Sequence, residues 1–248
     1  MSRGRLMREL GLGPVWRLRE PGAISAELPQ GAEPAVEQEP AVAPAMPPAA
    51  QPIPASDDRA AAIASMGWDD LRAAVAECRA CGLCQQRKQA VLGVGDVEAD
   101  WLFVGEGPGA EEDERGEPFV GQAGRLLDAM LAAIDLKRGD NVYIANTVKC
   151  RPPGNRTPEP EETSACWPFL ARQIALIKPK LIVALGRPAA QTLLQSEVKI
   201  GAARGRVFEH QGIPLIVTYH PAYLLRNLPD KAKAWEDLCF MRATMKGL

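Results

Sequence analysis

Four short apolar runs constrain this chain more than any other feature. They occupy residues 101–105, 142–145, 181–186 and 215–219, and each is apolar almost throughout. Runs of this length suit strands that are covered on both faces, as in a parallel sheet. Helical spacing fills the intervals, at 124–134, 161–177 (with Pro168 as a candidate break) and 187–194. A further helix precedes the set at 69–77, and another closes the chain at 231–245. Strand alternating with helix predicts an α/β fold, a three-layer α/β/α sandwich around a central, mainly parallel four-stranded sheet. In such folds the site forms beyond the carboxyl ends of the strands. Here those ends lead to Glu106, Asn146, Gly186 and His220, and three of the four carry side chains useful for chemistry.

The amino-terminal quarter reads differently. Ten of the 22 prolines lie between Pro14 and Pro54, and residues 27–55 are mostly Ala, Pro, Glu and Gln. Such a segment cannot bury enough apolar surface to offset its backbone entropy. Residues 1–65 are therefore expected to be a disordered extension, and residues 66–248 the folded domain. Within the extension, residues 3–19 carry Leu6, Met7, Leu10, Leu12, Val15, Trp16 and Leu18 among five arginines. That piece reads either as a peptide for an unidentified partner or as a poorly ordered terminus.

No apolar stretch approaches the ~20 residues that a bilayer span needs, and no apolar signal core follows the first residues. The expected compartment is the reducing cytosol. The net charge is −2, and from residue 68 onward 23 basic residues face 23 acidic ones. This balance argues against a nucleic-acid binder driven by bulk positive charge, while leaving room for a local basic groove.

In a reducing compartment the six cysteines read as metal ligands or buried thiols rather than disulfides. Cys78 and Cys81 form a C-x2-C pair, Cys84 lies three residues on, and Cys150, Cys166 and Cys239 follow. A C-x2-C turn lets two thiolates reach one centre, and two later cysteines can complete a set of four. Spacing alone leaves a zinc half-site, an iron–sulfur centre and unrelated buried thiols open. Cys239, between Leu238 and Phe240 in a helical pattern, reads as core.

The motifs at the strand ends carry the chemistry. Gly105-Glu106-Gly107-Pro108-Gly109 precedes Ala110-Glu111-Glu112-Asp113-Glu114. It lacks the Gly-Lys-Ser/Thr ending of a phosphate loop, and acids in the next turn would repel phosphate. Glycines beside a carboxylate suggest a tight loop in which a ligand ring approaches backbone N–H groups. Pro118-Phe119-Val120-Gly121 offers an aromatic face, for which core packing is the plainer reading. Asn146 could equally cap a turn. His220 is one of only two histidines and opens His220-Pro221-Ala222-Tyr223-Leu224-Leu225-Arg226; a satisfied structural imidazole is the commoner outcome for such a residue.

Together these motifs resemble the family 4 uracil-DNA glycosylases, the iron–sulfur type of bacteria and archaea. The likeness runs from about Cys78 to Arg226, and includes Asn146-Thr147-Val148-Lys149-Cys150-Arg151-Pro152-Pro153. It implies an enzyme that flips uracil out of DNA and hydrolyses its N-glycosidic bond, leaving an abasic site for base-excision repair. It also implies a [4Fe–4S] cluster on Cys78, Cys81, Cys150 and Cys166, with Cys84 and Cys239 spare. The expected partner is uracil-containing DNA, met by a monomer in the cytoplasm at the nucleoid.

The resemblance gives each motif a task. The base must leave the stack before its sugar carbon can be reached. Phe119 would stack on it, in a pocket that includes Gly107 and Gly109. The Asn146 amide would accept from uracil N3–H and donate to O4, a pattern cytosine cannot satisfy. His220 would donate to O2 as charge grows there. Glu106 would stabilise the sugar cation and orient water, with Glu112 and Asp113 as alternatives. Leu224, Leu225 and Arg226 would fill the gap left in the duplex. Lys149, Arg151, Arg156, Arg204 and Arg206 are candidates for phosphate contact. No lysine stands at a predicted strand end, which implies simple hydrolysis without a Schiff base.

Overall fold

The computed structural model describes residues 57–248. The 3–19 peptide and most of the 1–65 extension lie outside the described residues. The part of that extension within them is a helix, α1 (Asp57–Ser65), which packs through the buried Ile63. The packed chain thus begins before residue 66.

A second helix, α2 (Trp68–Glu77), leads through the C-x2-C turn to a short strand, β1 (Val94–Gly95). The chain then alternates between strand and helix. In order come β2 (Trp101–Gly105), α3 (Ala110–Arg115), α4 (Gln122–Ala132), β3 (Val142–Asn146), α5 (Pro160–Ile177), β4 (Leu181–Leu185) and α6 (Arg187–Leu194). They are followed by α7 (Ile200–Ala203), β5 (Val207–His210), β6 (Ile213–Thr218), α8 (Pro221–Arg226) and α9 (Asp230–Met245).

The sheet has six strands in the order β1-β3-β2-β4-β6-β5. The four expected strands form its parallel centre, β3-β2-β4-β6. The expectation of four omitted β1 and β5, which pair antiparallel at the two edges. Neither carries a readable pattern. One is two residues long, and the other exposes Val207 and Glu209.

The apolar runs are continuous because both faces of the centre are buried. Leu102, Val104, Ile182 and Ala184 pack on one side against Leu170, Ile174, Ala189 and Leu193. Trp101, Phe103, Leu181 and Val183 pack on the other against Leu127, Leu131, Leu238 and Met241. A third cluster joins α1, α2 and α5 around Cys150 and Cys166.

Pro168 does not break α5, which runs unbroken from Pro160 to Ile177. An interior proline costs ~3 kcal/mol. Burial of Phe169, Leu170, Ile174 and Ile177 from the same helix outweighs that cost. Cys239 departs from expectation in the other direction and is exposed. In α9 the face toward the sheet is set by Ala234, Leu238 and Met241, and the next residue after Leu238 rotates away from it.

Candidate active site and cysteine cage

Parallel strands end together, so their carboxyl ends place sequence-distant residues at one edge. A cleft of about 810 Å³ opens there, lined by Glu106, Gly107, Gly109, Phe119, Asn146, Gly186 and His220 among others. Thus the four strand-end residues share one cavity with the aromatic ring.

Its floor is tightly built. A Cβ at Gly105 would lie 2.5 Å from both Asn146 Oδ1 and Phe119 Cζ, so this glycine is what lets the amide and the ring meet. Asn146 is 2% exposed, and its Oδ1 is buried without a hydrogen-bond partner. A buried, unsatisfied acceptor is costly, and this one borders a cleft.

Phe119 adopts a left-handed backbone conformation, with φ 55°. Arg138 holds it there, its guanidinium donating to the carbonyls of Pro118 and Phe119 at 2.8 Å each and pairing with Asp128. The Phe119 carbonyl in turn rests on Gly124, where any Cβ would overlap it. Gly124→Ala is accordingly expected to lower stability by about 1–3 kcal/mol, as overpacking does. Urea unfolding measures this; an unchanged midpoint would show that the loop yields freely.

The ring of Phe119 lies 5.4 Å from that of His220, tilted by 32°. His220 caps α8, its Nδ1 accepting from the Ala222 N–H at 3.1 Å. The proton of the neutral ring is therefore on Nε2. Burial, reinforced by the charge of Arg226, lowers the imidazole pKa to about 4, although Glu112 opposes the shift.

Glu106 is half-buried, and burial raises its pKa against a hydrogen bond from Thr157 and the charge of Arg187. The alternatives are engaged elsewhere. Glu112 accepts from the N–H groups of Val120 and Gly121 through Oε1, and from Gly109 through Oε2. It braces the glycine loop against the Phe119 loop. The Gly109 N–H is thus already used, contrary to the expectation of backbone donors left open to a ligand. Asp113 is buried and accepts from Lys88 N–H.

The expected DNA-facing residues divide. Leu225 and Arg226 are exposed, but Leu224 is 1% exposed and packs in the sheet's core cluster. An apolar residue at i, i+3 from Pro221 faces the core in α8, so Leu224 cannot act as a wedge without unpacking. Leu228, exposed two residues beyond Arg226, was not anticipated. Among the cations, Lys149 is fully buried, Arg156 forms a two-pronged pair with Glu162, and Arg204 pairs with Asp237. Arg156 nevertheless lines the cleft, and Arg187 and Lys199 line it too, both exposed. Sequence reading missed these last two, although Arg187 directly follows the strand-end Gly186.

A second cavity lies under α2 and α5. Cys78, Cys81, Cys84, Cys150 and Cys166 all line it, with Arg87, Lys149 and Phe169. Among the described residues no three Cys, His, Asp or Glu side chains are arranged to hold a single metal ion. The sulfurs line a shared space instead. Burial raises the Cys81 thiol, and pushes Cys150 up to about 11 and Cys166 to about 12. Nitrogen donors face them. Arg87 Nη1 is 2.8 Å from Cys150 Sγ, Arg59 Nη2 3.6 Å from Cys78 Sγ, and the Lys149 N–H 3.3 Å from Cys166 Sγ. Such donors suit sulfur that carries negative charge. The set fits a thiolate-bound group.

Comparison with known proteins agrees with this geometry. The family model of the uracil DNA glycosylase superfamily matches residues 92–239. A type-4 uracil-DNA glycosylase of Pyrobaculum aerophilum is 41% identical over 181 residues, covering 70% of this chain and 92% of the relative. That of Thermotoga maritima is 48% identical over 161 residues, covering 64% and 83%. That of Archaeoglobus fulgidus is 46% identical over 165 residues, covering 63% and 82%. By sequence and by the architecture that carries its cleft, the chain belongs to the uracil DNA glycosylase superfamily and, within it, to the type-4 uracil-DNA glycosylases.

Proposed function

We propose that the cleft receives a uracil turned out of DNA and that Glu106, Asn146, Phe119 and His220 carry out its hydrolytic release. The abasic site that remains enters base-excision repair. The observation that carries this reading is the buried, unpartnered Oδ1 of Asn146 beside the Phe119 ring. Uracil N3–H satisfies that acceptor, and cytosine, with a lone pair at N3, leaves it unsatisfied.

Bond cleavage separates a cation-like sugar from a uracil anion, so both charges need stabilisation. His220 meets the anion as a neutral donor through Nε2–H, its tautomer fixed by the Ala222 amide. Glu106, whose pKa burial raises while Thr157 and Arg187 oppose the shift, faces the sugar and as a carboxylate orients water. Phe119 stacks on the base, and Gly107 and Gly109 keep the loop thin. Leu225 and Arg226 follow the duplex, while Arg187 and Lys199 meet phosphates at the rim. Lys149 is buried and hydrogen-bonded, which leaves it unavailable for a Schiff base; Lys199 lines the cleft and is assigned to phosphate, so release by water alone predicts no adduct on borohydride reduction.

The direct test is incubation with a uracil-containing oligonucleotide, followed by alkaline cleavage of abasic sites. Strand scission at uracil with turnover is expected. Intact strands, or a stable protein–DNA adduct, would overturn the reading.

A pH profile tests the two titrating roles. Glu106 must be ionised, so the single-turnover rate should fall as pH drops through its raised pKa. His220 stays neutral down to about 4 and adds no step near its ordinary 6.5. The acid limb should therefore vanish in Glu106→Gln, at a lower plateau rate. A limb centred near 6.5 that persists in this variant would show that the imidazole charges instead.

For the cysteines we propose a [4Fe–4S] cluster on Cys78, Cys81, Cys150 and Cys166. Thiols that line a cavity suit a polynuclear group better than a single ion. When bound, it links the C-x2-C turn to the segment after β3 and to α5, a structural role. Cys78→Ser is expected to lower iron content and melting temperature together; full stability without iron would refute that role. Among the described residues no helix is long and apolar enough to cross a membrane. We place the enzyme in the cytoplasm at the nucleoid, acting as a monomer, with the part of the 1–65 extension that precedes α1 as an appendage for an unidentified partner.

A further inference from the structure

Lys149 is among the largest fully buried side chains, yet neither of its hydrogen bonds reaches a carboxylate. Its Nζ donates to the main-chain carbonyl of Asn146 at 2.7 Å and to Gln173 Oε1 at 2.6 Å. Gln173 is itself fully buried and donates to the Leu92 carbonyl at 3.0 Å and to the Tyr143 hydroxyl at 3.2 Å. On the other side, the Lys149 N–H reaches Cys166 Sγ. The residue thus stands between the cysteine cavity and the cleft.

Burying an ammonium without a carboxylate partner is expensive. A methionine would fill the same volume but make neither of these two hydrogen bonds. The bond that distinguishes this ammonium from an apolar filler is the one to Asn146. That residue closes β3 against Gly105, and its side-chain Oδ1 has no partner of its own. With nothing holding the oxygen, the plane of the amide follows from how firmly the backbone beneath it is held.

We infer that Lys149 is a positioning residue for uracil recognition, clamping the Asn146 carbonyl so that the amide above it keeps the orientation that reads the base. The inference rests on the base-reading role proposed for Asn146. The clamp has two further anchors. Gln173 fixes the ammonium laterally and is tied to β3 through Tyr143. The main chain of Lys149 is fixed to Cys166, so the cysteine cavity and the reading amide share one residue as their link.

The test uses the full-length protein with its metal centre, in single-turnover excision from a uracil-containing oligonucleotide. The reaction amplitude reports the fraction of competent enzyme, and the rate constant reports positioning. Lys149→Met should slow the rate by about 10- to 100-fold, the range for lost supporting bonds or slight misplacement. Amplitude, DNA affinity and iron-to-protein ratio should stay near wild type. Gln173→Leu, which removes the lateral anchor and leaves Asn146 and the four cysteine side chains in place although it shares α5 with Cys166, should slow it in the same direction by less. If Lys149→Met fails to fold, Gln173→Leu decides alone. Rates at the wild-type value in the folded variants, with losses confined to amplitude or iron, overturn the inference. Asn146→Ala separates the two levels. Should it too leave the rate unchanged, the base-reading role fails; should it slow excision while both clamp variants do not, only the clamp fails.

Discussion

Asn146→Asp is expected to lower the single-turnover rate of uracil excision by about 10²- to 10³-fold, the scale of losing one well-placed donor at a developing anion. The two side chains are nearly equal in size, so the floor formed with Gly105 and Phe119 should stay packed. A carboxylate still accepts from N3–H. It cannot donate to O4, and its charge opposes the anion that forms as the bond breaks. Affinity for a duplex without uracil should be unchanged, because Asn146 is buried at the floor of the cleft. Single-turnover kinetics together with a binding titration measure both quantities. An unchanged rate would remove the amide from the mechanism.

His220→Ala should cost a similar factor in rate, about 10²- to 10³-fold, and it should also destabilise the fold. The imidazole does two things at once. Nδ1 caps α8 by accepting from the Ala222 N–H, and Nε2–H is left for the role proposed at the base. Loss of a cap costs ~1 kcal/mol, or about 2–4 °C in melting temperature for a domain of this size. His220→Asn separates the two. Its side-chain oxygen restores a cap acceptor, so the melting temperature should recover, but it does not extend to the position of Nε2, so the rate should stay low. Recovery of both in His220→Asn would mean that the cap alone matters.

Both predictions depend on residues whose place at the cleft is legible in the sequence, and the reason is topological. Asn146, His220 and Glu106 each follow an apolar run, and in a parallel sheet the ends of such runs converge. The edge strands were not legible, because β1 is too short to show a pattern and β5 faces solvent on one side. Nor was the fate of individual charges. Lys149 and Arg204 read as surface cations, yet one is fully buried and the other is held by Asp237. A lysine in a motif looks the same whether its ammonium meets water or a carbonyl.

The same limit separates Leu224 from Leu225. Neighbours in a six-residue helix, they differ only in which side of α8 faces the core, and that is set by docking against the sheet rather than by either residue. Glu112 illustrates it again. As one of four acids in a row it was a candidate for chemistry, and three backbone N–H groups from two loops turn it into a brace.

The sequence alone determined the alternation of strand and helix, the edge at which a site must form, and the residue types delivered there, because periodicity and chain connectivity are local properties. Only the tertiary structure decided which of those groups keep an open valence. Asn146 Oδ1 is left unpartnered, the His220 tautomer is set by an amide two residues on, and Gly109 is already bonded. Partners are supplied by segments far apart in the chain, and no local pattern records them.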